Sequence, residues 1–346
     1  LRSTGYPYSP TGFGILGLTL YLSEKFDGTI ASTYANGCME GVMVEQAVLS
    51  AITDDPASVT AIVKAAMAGT RDARLKEIVN ALVDHGHAFL KQVKLTDEEF
   101  ERGLSFLRAA GHACNERHNE VVLLSDVLGF STLVALLNNS DATDRTPGAL
   151  LGPFYRGGSP VYEDGRSIAS PGSPGSPLFM RGRVLDVSGR PVGNAAVDVW
   201  QASPVGLYEN QDPGQPDRNL RGRFHTDAQG RFNFRTVRPA GYPVPVDGPV
   251  GTLLEAQNRH PYRPAHIHFV IVAEGHATLV SQVFADDSEH LDSDVVFGVN
   301  RRLVGNFERH DPQTGPYAET DEAYYTLDFE FIMADGTPTY PTPPID

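Results

Sequence analysis

Arg238-Pro239-Ala240-Gly241-Tyr242-Pro243-Val244-Pro245 and His260-Pro261-Tyr262-Arg263-Pro264-Ala265-His266-Ile267-His268-Phe269 place a tyrosine in a proline-stiffened loop shortly before two histidines spaced i, i+2. In an extended strand, side chains two apart project from the same face. His266 and His268 are therefore expected side by side, with Ile267 and Phe269 on the opposite face. Two imidazoles so placed can share one metal ion, although a pair on a solvated strand face has the same spacing. Pro243, Pro245, Pro261 and Pro264 fix backbone angles on both approaches, a strong constraint on loop geometry.

Around this stretch the chain reads as short alternating segments, at 178–187, 195–201, 222–226, 231–236, 265–272, 279–284 and 325–332. Turn signals such as Ser188-Gly189-Arg190-Pro191 and Asp227-Ala228-Gln229-Gly230 separate them. Short strands without helical patterns between them predict a mainly β region over 151–346, an antiparallel β-sandwich that carries the site. Residues 44–150 read as helical. Leu75, Ile78, Val79, Leu82 and Val83 form one apolar stripe, which Phe89 and Leu90 extend. Thr96-Asp97-Glu98-Glu99 is a capping-box signature, expected to open a helix with Phe100, Leu104, Leu107 and Ala110 inward and Gly111 at its end. A third helix is expected from Asn119 to Leu137. His85, His87, His112 and His118 are read as surface or hydrogen-bonded helical histidines. Residues 1–43 read as a poorly ordered extension or leader, because the apolar run 13–22 is too short to span a bilayer.

The chain has 346 residues, 41% hydrophobic and 21% charged, the composition of a soluble globular protein. Its formal charge of −15 disfavours nucleic acid or an anionic membrane as partner. The two cysteines, Cys38 and Cys114, form neither a zinc spacing nor a disulfide framework, and a reducing cytoplasm is the natural setting.

Two histidines do not complete a metal site, so Asp, Glu or Tyr242 must contribute. Phenolate is an unusual ligand, since the ordinary tyrosine pKa is about 10. A hard cation such as Fe(III) can deprotonate it, and non-haem ferric iron held by His and Tyr is chemically consistent. Zinc with an open position also fits the histidines alone.

Four motifs carry a resemblance, two of them overlapping the opening stretches: Leu150-Leu151-Gly152-Pro153-Phe154-Tyr155, Val197-Asp198-Val199-Trp200-Gln201, Gly241-Tyr242-Pro243-Val244-Pro245-Val246-Asp247-Gly248-Pro249 and Arg263-Pro264-Ala265-His266-Ile267-His268. Over roughly 75–307 the chain resembles the intradiol ring-cleavage dioxygenases, non-haem Fe(III) enzymes that split catechols between their hydroxyl-bearing carbons. The resemblance implies that Tyr155, Tyr242, His266 and His268 hold the iron. It also implies that Arg263 stabilises negative charge on the substrate ring, that Gln282 is its polar partner, and that Tyr242 gives way to the bound substrate. Tyr262, His260, His276 and His290 are left as structural.

The runs Leu123-Leu124-Ser125-Asp126-Val127-Leu128-Gly129 and Asp294-Val295-Val296-Phe297-Gly298-Val299 look most like the hydroxyquinol 1,2-dioxygenases within that family. By that resemblance Leu123, Asp126, Gly152, Pro153, Phe154, Val244, Pro245, Arg263 and Val296 line the substrate pocket, and O2 is the co-substrate. Catechol or a chlorocatechol is the alternative substrate. The resemblance further implies a homodimer formed through the helical domain, with lipid bound there. The rival readings are a zinc hydrolase using the histidines with a carboxylate, and a transthyretin-like β-sandwich binding module.

Overall fold

A computed structural model of the chain describes residues 53–138 and 143–345. The expected extension over 1–43 and the start of the helical region at Val44 lie outside the described residues. The chain divides into two compact units between Leu104 and Ser105, within one helix.

The first unit contains α1 (Val59–Ala66), α2 (Ala73–Val93) and the beginning of α3 (Asp97–Ala113). Asp72 caps α2 by accepting from the Leu75 amide at 2.9 Å. The capping box before α3 forms as the sequence predicts: the Thr96 amide donates to Glu99, and the Glu99 amide donates back to the Thr96 hydroxyl. The apolar stripes behave differently from expectation. No side chain of α1 or α2 is fully buried, and Phe89, Leu90, Phe100, Leu104 and Leu107 are exposed. Of the stripe predicted to face inward on α3, only Ala110 is buried. Periodicity identifies an apolar face and says nothing of what covers it. Gly111 does not end α3, which continues to Ala113.

The second unit is built on β1 (Pro177–Asp186), β2 (Ala196–Gln201), β3 (Arg221–His225), β4 (Arg231–Val237), β5 (Tyr242–Pro243), β6 (Tyr262–Arg263), β7 (His266–Val272), β8 (Leu279–Ala285), β9 (Val304–Gly305), β10 (Glu308–His310) and β11 (Tyr324–Met333). One sheet has the order β10-β11-β1-β4, another β3-β2-β7-β8-β9, and β5 pairs with β6 alone. The predicted antiparallel sandwich is corrected here, because both larger sheets are mixed. β1 and β11 run parallel over 178–186 and 325–333, and β8 and β9 are also parallel. Alternation favours an antiparallel reading, yet strands of a mixed sheet with one partly exposed face alternate as well, so the pattern does not fix strand direction. The two sheets share one core, in which Phe234 and Phe331 meet Phe269 at ring distances of 6.5 and 4.7 Å.

Strand β7 decides where the site lies. Ile267, Phe269 and Ile271 enter the shared core, so His266, His268 and Val270 emerge on the other face. That face is also buried. Phe154, Tyr155, Trp200, Tyr208, Tyr242 and Val270 form a second cluster upon it.

The single helix expected from Asn119 to Leu137 is two, α4 (Glu120–Val127) and α5 (Phe130–Leu137), bent by 71°. Gly129 makes the break with φ +74°, a left-handed backbone that no run of helix accommodates. Leu123, Leu124 and Val127 of α4 pack with Val244, Val295, Val296 and with Val250 and Leu254 of α6 (Pro249–Ala256). The buried Glu120 carboxylate ties the two helices by accepting from the Val250 amide at 2.8 Å, with His118 on its other oxygen. Among the described residues, no single helix is long and apolar enough to cross a membrane.

Two glycine substitutions are expected to act with opposite sign. Gly129→Ala forces an L side chain into the left-handed region and should cost about 1–2 kcal/mol of unfolding free energy. A Cβ there meets only the rim of the exposed Phe297 ring, at 3.3 Å, so backbone strain dominates. Gly103→Ala, with open space around its Cβ within α3, should gain about 0.5–1 kcal/mol from helix propensity. Urea denaturation of the two variants checks both signs.

Candidate metal centre

Sheet register delivers most of the site. Across β3, β2, β7 and β8, Arg221 pairs with Trp200, Trp200 with His268, and His268 with Gln282. These residues form one row on the face away from the core. Trp200 stacks on the His268 ring at 4.6 Å and 11°, which fixes the imidazole plane. His266 is held differently. Its Nδ1–H donates to the Pro264 carbonyl at 2.7 Å, leaving the Nε2 lone pair to face the site.

Four donor atoms then converge. His266 Nε2 lies 3.1 Å from His268 Nε2, which lies 3.0 Å from the Tyr208 hydroxyl, which lies 3.1 Å from the Tyr242 hydroxyl. Burial holds both imidazoles well below the ordinary histidine pKa, with Arg263 adding to the effect, so both are neutral. Burial also raises both phenols, Tyr208 well above the ordinary value. Two neutral imidazoles and two phenols are a donor set for a hard, highly charged cation that replaces the phenolic protons. Metal–ligand lengths of about 2.0–2.2 Å put neighbouring donors about 3 Å apart, the spacing found here. Among the described residues no group of three or more His, Cys, Asp or Glu is placed to hold a metal. A zinc site completed by a carboxylate therefore lacks its third ligand, whereas the His/Tyr set fits.

Tyr208 corrects the assignment of Tyr155. The Tyr155 ring packs on Trp200 at 4.8 Å, and its hydroxyl engages the Asp198 carboxylate, away from the histidines. Burial, reinforced by Asp198, pushes its pKa up to about 12. Of that motif, the residues that reach the site are Phe154, stacked on the Tyr208 ring at 4.6 Å, and Gly152. A Cβ on Gly152 would lie 3.4 Å from the His268 ring, so the backbone passes close to it.

Sequence reasoning missed Tyr208: the turn that carries it is local, but which buried tyrosine reaches the histidines is not. Strand β2 ends at Gln201 and a tight turn follows, with the Gly206 amide donating to Ser203 and the Ser203 amide to Leu207. Gly206 has φ +82°, and a Cβ there would sit 2.9 Å from that of Tyr242. The turn thus brings Tyr208 against Tyr242. Next in the chain, Glu209 is gripped by the buried Arg221 and by Arg156, each at 2.7 Å.

Arg263 completes the inner wall. Nη1 lies 3.1 Å from His266 Nε2, Nη2 donates to Gln282 at 3.0 Å, and Asp294 accepts from Nε and Nη2 at 3.1 and 3.2 Å. Burial opposes the guanidinium charge, but Asp294 and the neighbouring phenols outweigh it and raise the pKa above the ordinary value. Gln282 in turn donates to the Leu150 carbonyl at 2.6 Å. Of the expected pocket residues, Leu123, Val244 and Val296 share one buried cluster. Asp126 is buried beside Ser131, and it senses the charges of Arg263 and Asp294. Pro153 and Pro245 are half-buried next to Phe154 and Val244.

The chain is similar over most of its length to proteins of named activity. A family model described as Dioxygenase matches residues 150–334, and one described as Catechol dioxygenase N terminus matches residues 72–146. The chain is 42% identical to 6-chlorohydroxyquinol 1,2-dioxygenase of Cupriavidus pinatubonensis over 81% of this chain and 97% of that protein. The crystal structure of hydroxyquinol 1,2-dioxygenase from Pseudomonas putida DLL-E4 superposes with a TM-score of 0.74 at 40% identity, covering 81% of this chain and 99% of that one. Catechol 1,2-dioxygenase from Pseudomonas arvilla C-1 superposes with a TM-score of 0.71 at 28% identity, covering 81% and 92%. With both of its parts matched and its imidazole and phenol groups gathered on one buried face, the chain belongs to the intradiol ring-cleavage dioxygenase family.

Proposed function

We propose that the protein opens the ring of hydroxyquinol (benzene-1,2,4-triol) with O2 between its adjacent hydroxyl-bearing carbons. The product is 3-hydroxy-cis,cis-muconate, the enol form of maleylacetate. The observation that carries this reading is the convergence of two imidazole nitrogens and two phenol oxygens at 3.0–3.1 Å. Tyr208, Tyr242, His266 and His268 are the residues that would hold non-haem ferric iron. The chemistry supplied by ferric iron is charge withdrawal from a catechol dianion, which makes a ring carbon reactive toward O2.

The residues of the chain do the rest. Tyr242 Oη, which lies beside Arg263, is the group placed to take up a proton from the incoming diol. Arg263 is a preorganised cation where negative charge develops on the ring, which favours the transition state over the bound substrate. Gln282 keeps it in register. Phe154, Leu123, Val244 and Val296 shield the ring from water. Asp126 supplies the preference among diols. Burial raises its pKa to about 6, so at neutral pH it remains ionised and accepts a hydrogen bond from the third hydroxyl. Catechol leaves that carboxylate unpaired. The 42% identical relative and the 40% identical structure are both named for hydroxyquinol substrates, in line with this choice.

The exposed apolar side chains Phe89, Val93, Phe100 and Leu104 fit a role in association with a second copy of the chain, with lipid between the apolar faces. The cytoplasm is the proposed setting. Sedimentation equilibrium should give a dimer, and Phe100→Glu with Leu104→Glu should shift it toward monomer.

Replacing Tyr208 by Phe is expected to lower iron affinity at least about 10–100-fold, while Tyr155→Phe retains iron and turnover. Iron content after dialysis against a chelator, with circular dichroism as the folding control, separates the two. Full iron retention in Tyr208→Phe would show that the phenol is no ligand.

For Asp126→Ala the kcat/KM ratio of hydroxyquinol over catechol should fall about 10–100-fold, the equivalent of one charged hydrogen bond. Oxygen-electrode kinetics with both substrates measure the ratio. An unchanged ratio assigns the preference to another part of the pocket.

A further inference from the structure

Arg263 has five N–H donors in a rigid fork, and its role depends on which edge faces the substrate. The Nε/Nη2 edge is taken by Asp294, which accepts at 3.1 and 3.2 Å, and by Gln282, which accepts at 3.0 Å. The Nη1 end faces His266 Nε2 at 3.1 Å, and the guanidinium also bonds the Tyr242 hydroxyl. Asp294 is itself fixed by the chain it belongs to, accepting from the Gly298 amide at 3.0 Å and the Val296 amide at 3.4 Å. Gly298 lies against the pair: a Cβ there would be 3.1 Å from both Arg263 Nη2 and Asp294 Oδ2. The loop 294–298 thus wraps one edge of the guanidinium while also carrying Val296 into the apolar cluster with Leu123 and Val244.

We propose that Asp294 is the positioning residue of Arg263: by holding the Nε/Nη2 edge of a buried guanidinium, it turns the Nη1 end toward the histidine pair and the substrate oxygen that replaces Tyr242. This inference rests on the reading of Arg263 given above. An arginine side chain has four rotatable bonds. Without Asp294 the edge keeps only the single Gln282 bond to Nη2, while Nε is left unpaired. The fork can then turn between several buried orientations, of which only one meets charge developing on the ring. Asp294 touches neither donor atoms nor ring, and acts through the guanidinium. It also links two parts of the reaction, because the loop that orients Arg263 is the loop that brings Val296 to the pocket wall.

The test uses the iron-loaded full-length protein and four variants: Asp294→Asn, Arg263→Leu, the two combined, and Gly298→Ala. Asp294→Asn keeps the side-chain shape and removes the charge. Its kcat for hydroxyquinol should fall about 10–100-fold, as for residues that orient a reacting group. KM and 4-nitrocatechol binding, followed by colour change, should stay within about threefold. Iron per chain should be unchanged. Combined with Arg263→Leu, Asp294→Asn should add no further loss, since a residue acting through Arg263 has nothing left to position. Gly298→Ala, which leaves the Asp294 charge in place and wedges the pair apart, should lower kcat in the same sense. It serves as the probe should Asp294→Asn fold poorly. Unaltered kcat in Arg263→Leu removes the reading of Arg263 and this inference with it. A normal loss in Arg263→Leu overturns the inference alone if Asp294→Asn keeps wild-type kcat, or if the two losses multiply in the double variant.

Discussion

Two imidazole nitrogens held 3.1 Å apart on a face that water does not reach, with both rings neutral, repel each other unless a cation or a donor lies close by. The same face carries two phenols 3.1 Å apart, and each of these four groups gives up hydration to be there. The arrangement persists because each of the four converging atoms finds a partner: Arg263 on His266, Tyr208 on His268, Tyr242 on Tyr208. Much of the surrounding chain meets that demand. Trp200 is in register to stack on His268, Gly206 bends the turn that supplies Tyr208, and the tight backbone at Gly152 passes the His268 ring.

Ion pairs around the site follow the same logic. Arg263–Asp294 and Arg221–Glu209 are buried on both sides, and Arg223 makes a bidentate pair with the buried Asp198 at 2.6 and 2.7 Å. Buried pairs of this kind add little net stability over apolar side chains of similar size, while losing one partner is strongly destabilising. Their value here is directional. Arg221 and Arg156 clasp the residue after Tyr208, Asp294 clasps the residue that faces His266, and Asp198 takes the hydroxyl of Tyr155. Each pair fixes an orientation that apolar packing alone leaves open.

That distinction explains what was legible in the sequence. The i, i+2 rule placed His266 and His268 on one face and Ile267 and Phe269 on the other, and the structure agrees. Most strands lie close to their expected positions, and the Thr96–Glu99 box forms. Local chemistry suffices for such features. Strand direction was not legible: the parallel pairing of 178–186 with 325–333 joins segments from opposite ends of the β region. The covering of an apolar stripe is equally non-local, and Phe100 and Leu104 are exposed. The break at Gly129 left a local trace, the glycine itself, yet the apolar pattern on both sides reads as continuous. Tyr155 and Tyr208 show the limit most clearly. Both are buried tyrosines touching the same cluster, and the difference lies in where each hydroxyl ends, one on Asp198 and one on His268. Deciding between them needs the register of Trp200 against His268, which fixes that the turn after β2 opens over the histidine face.

The pocket proposed for the ring is assembled from pieces with little in common by sequence. Leu123 and Asp126 come from α4, Val244 from the proline-rich loop after Tyr242, and Val296 from the loop that follows Asp294. Such a pocket keeps its shape only if the pieces are tied together. Arg259 does this by donating to the Val127 carbonyl at the end of α4 at 2.7 Å and to the Val295 carbonyl at 2.6 Å. The Thr132 hydroxyl adds a bond to the Val296 carbonyl at 2.8 Å. Hydrogen bonds to backbone carbonyls fix chain position whatever side chains the two segments present. The side chains at 123, 126 and 296 can thereby change without loosening the frame, while the histidine pair stays where the register of β7 puts it and Arg263 where its pairing with Tyr242 across β5 and β6 holds it. In the function proposed above, substrate choice and ring-opening chemistry rest on separate supports that meet at one residue, Asp294, whose carboxylate holds the arginine and whose loop also carries Val296.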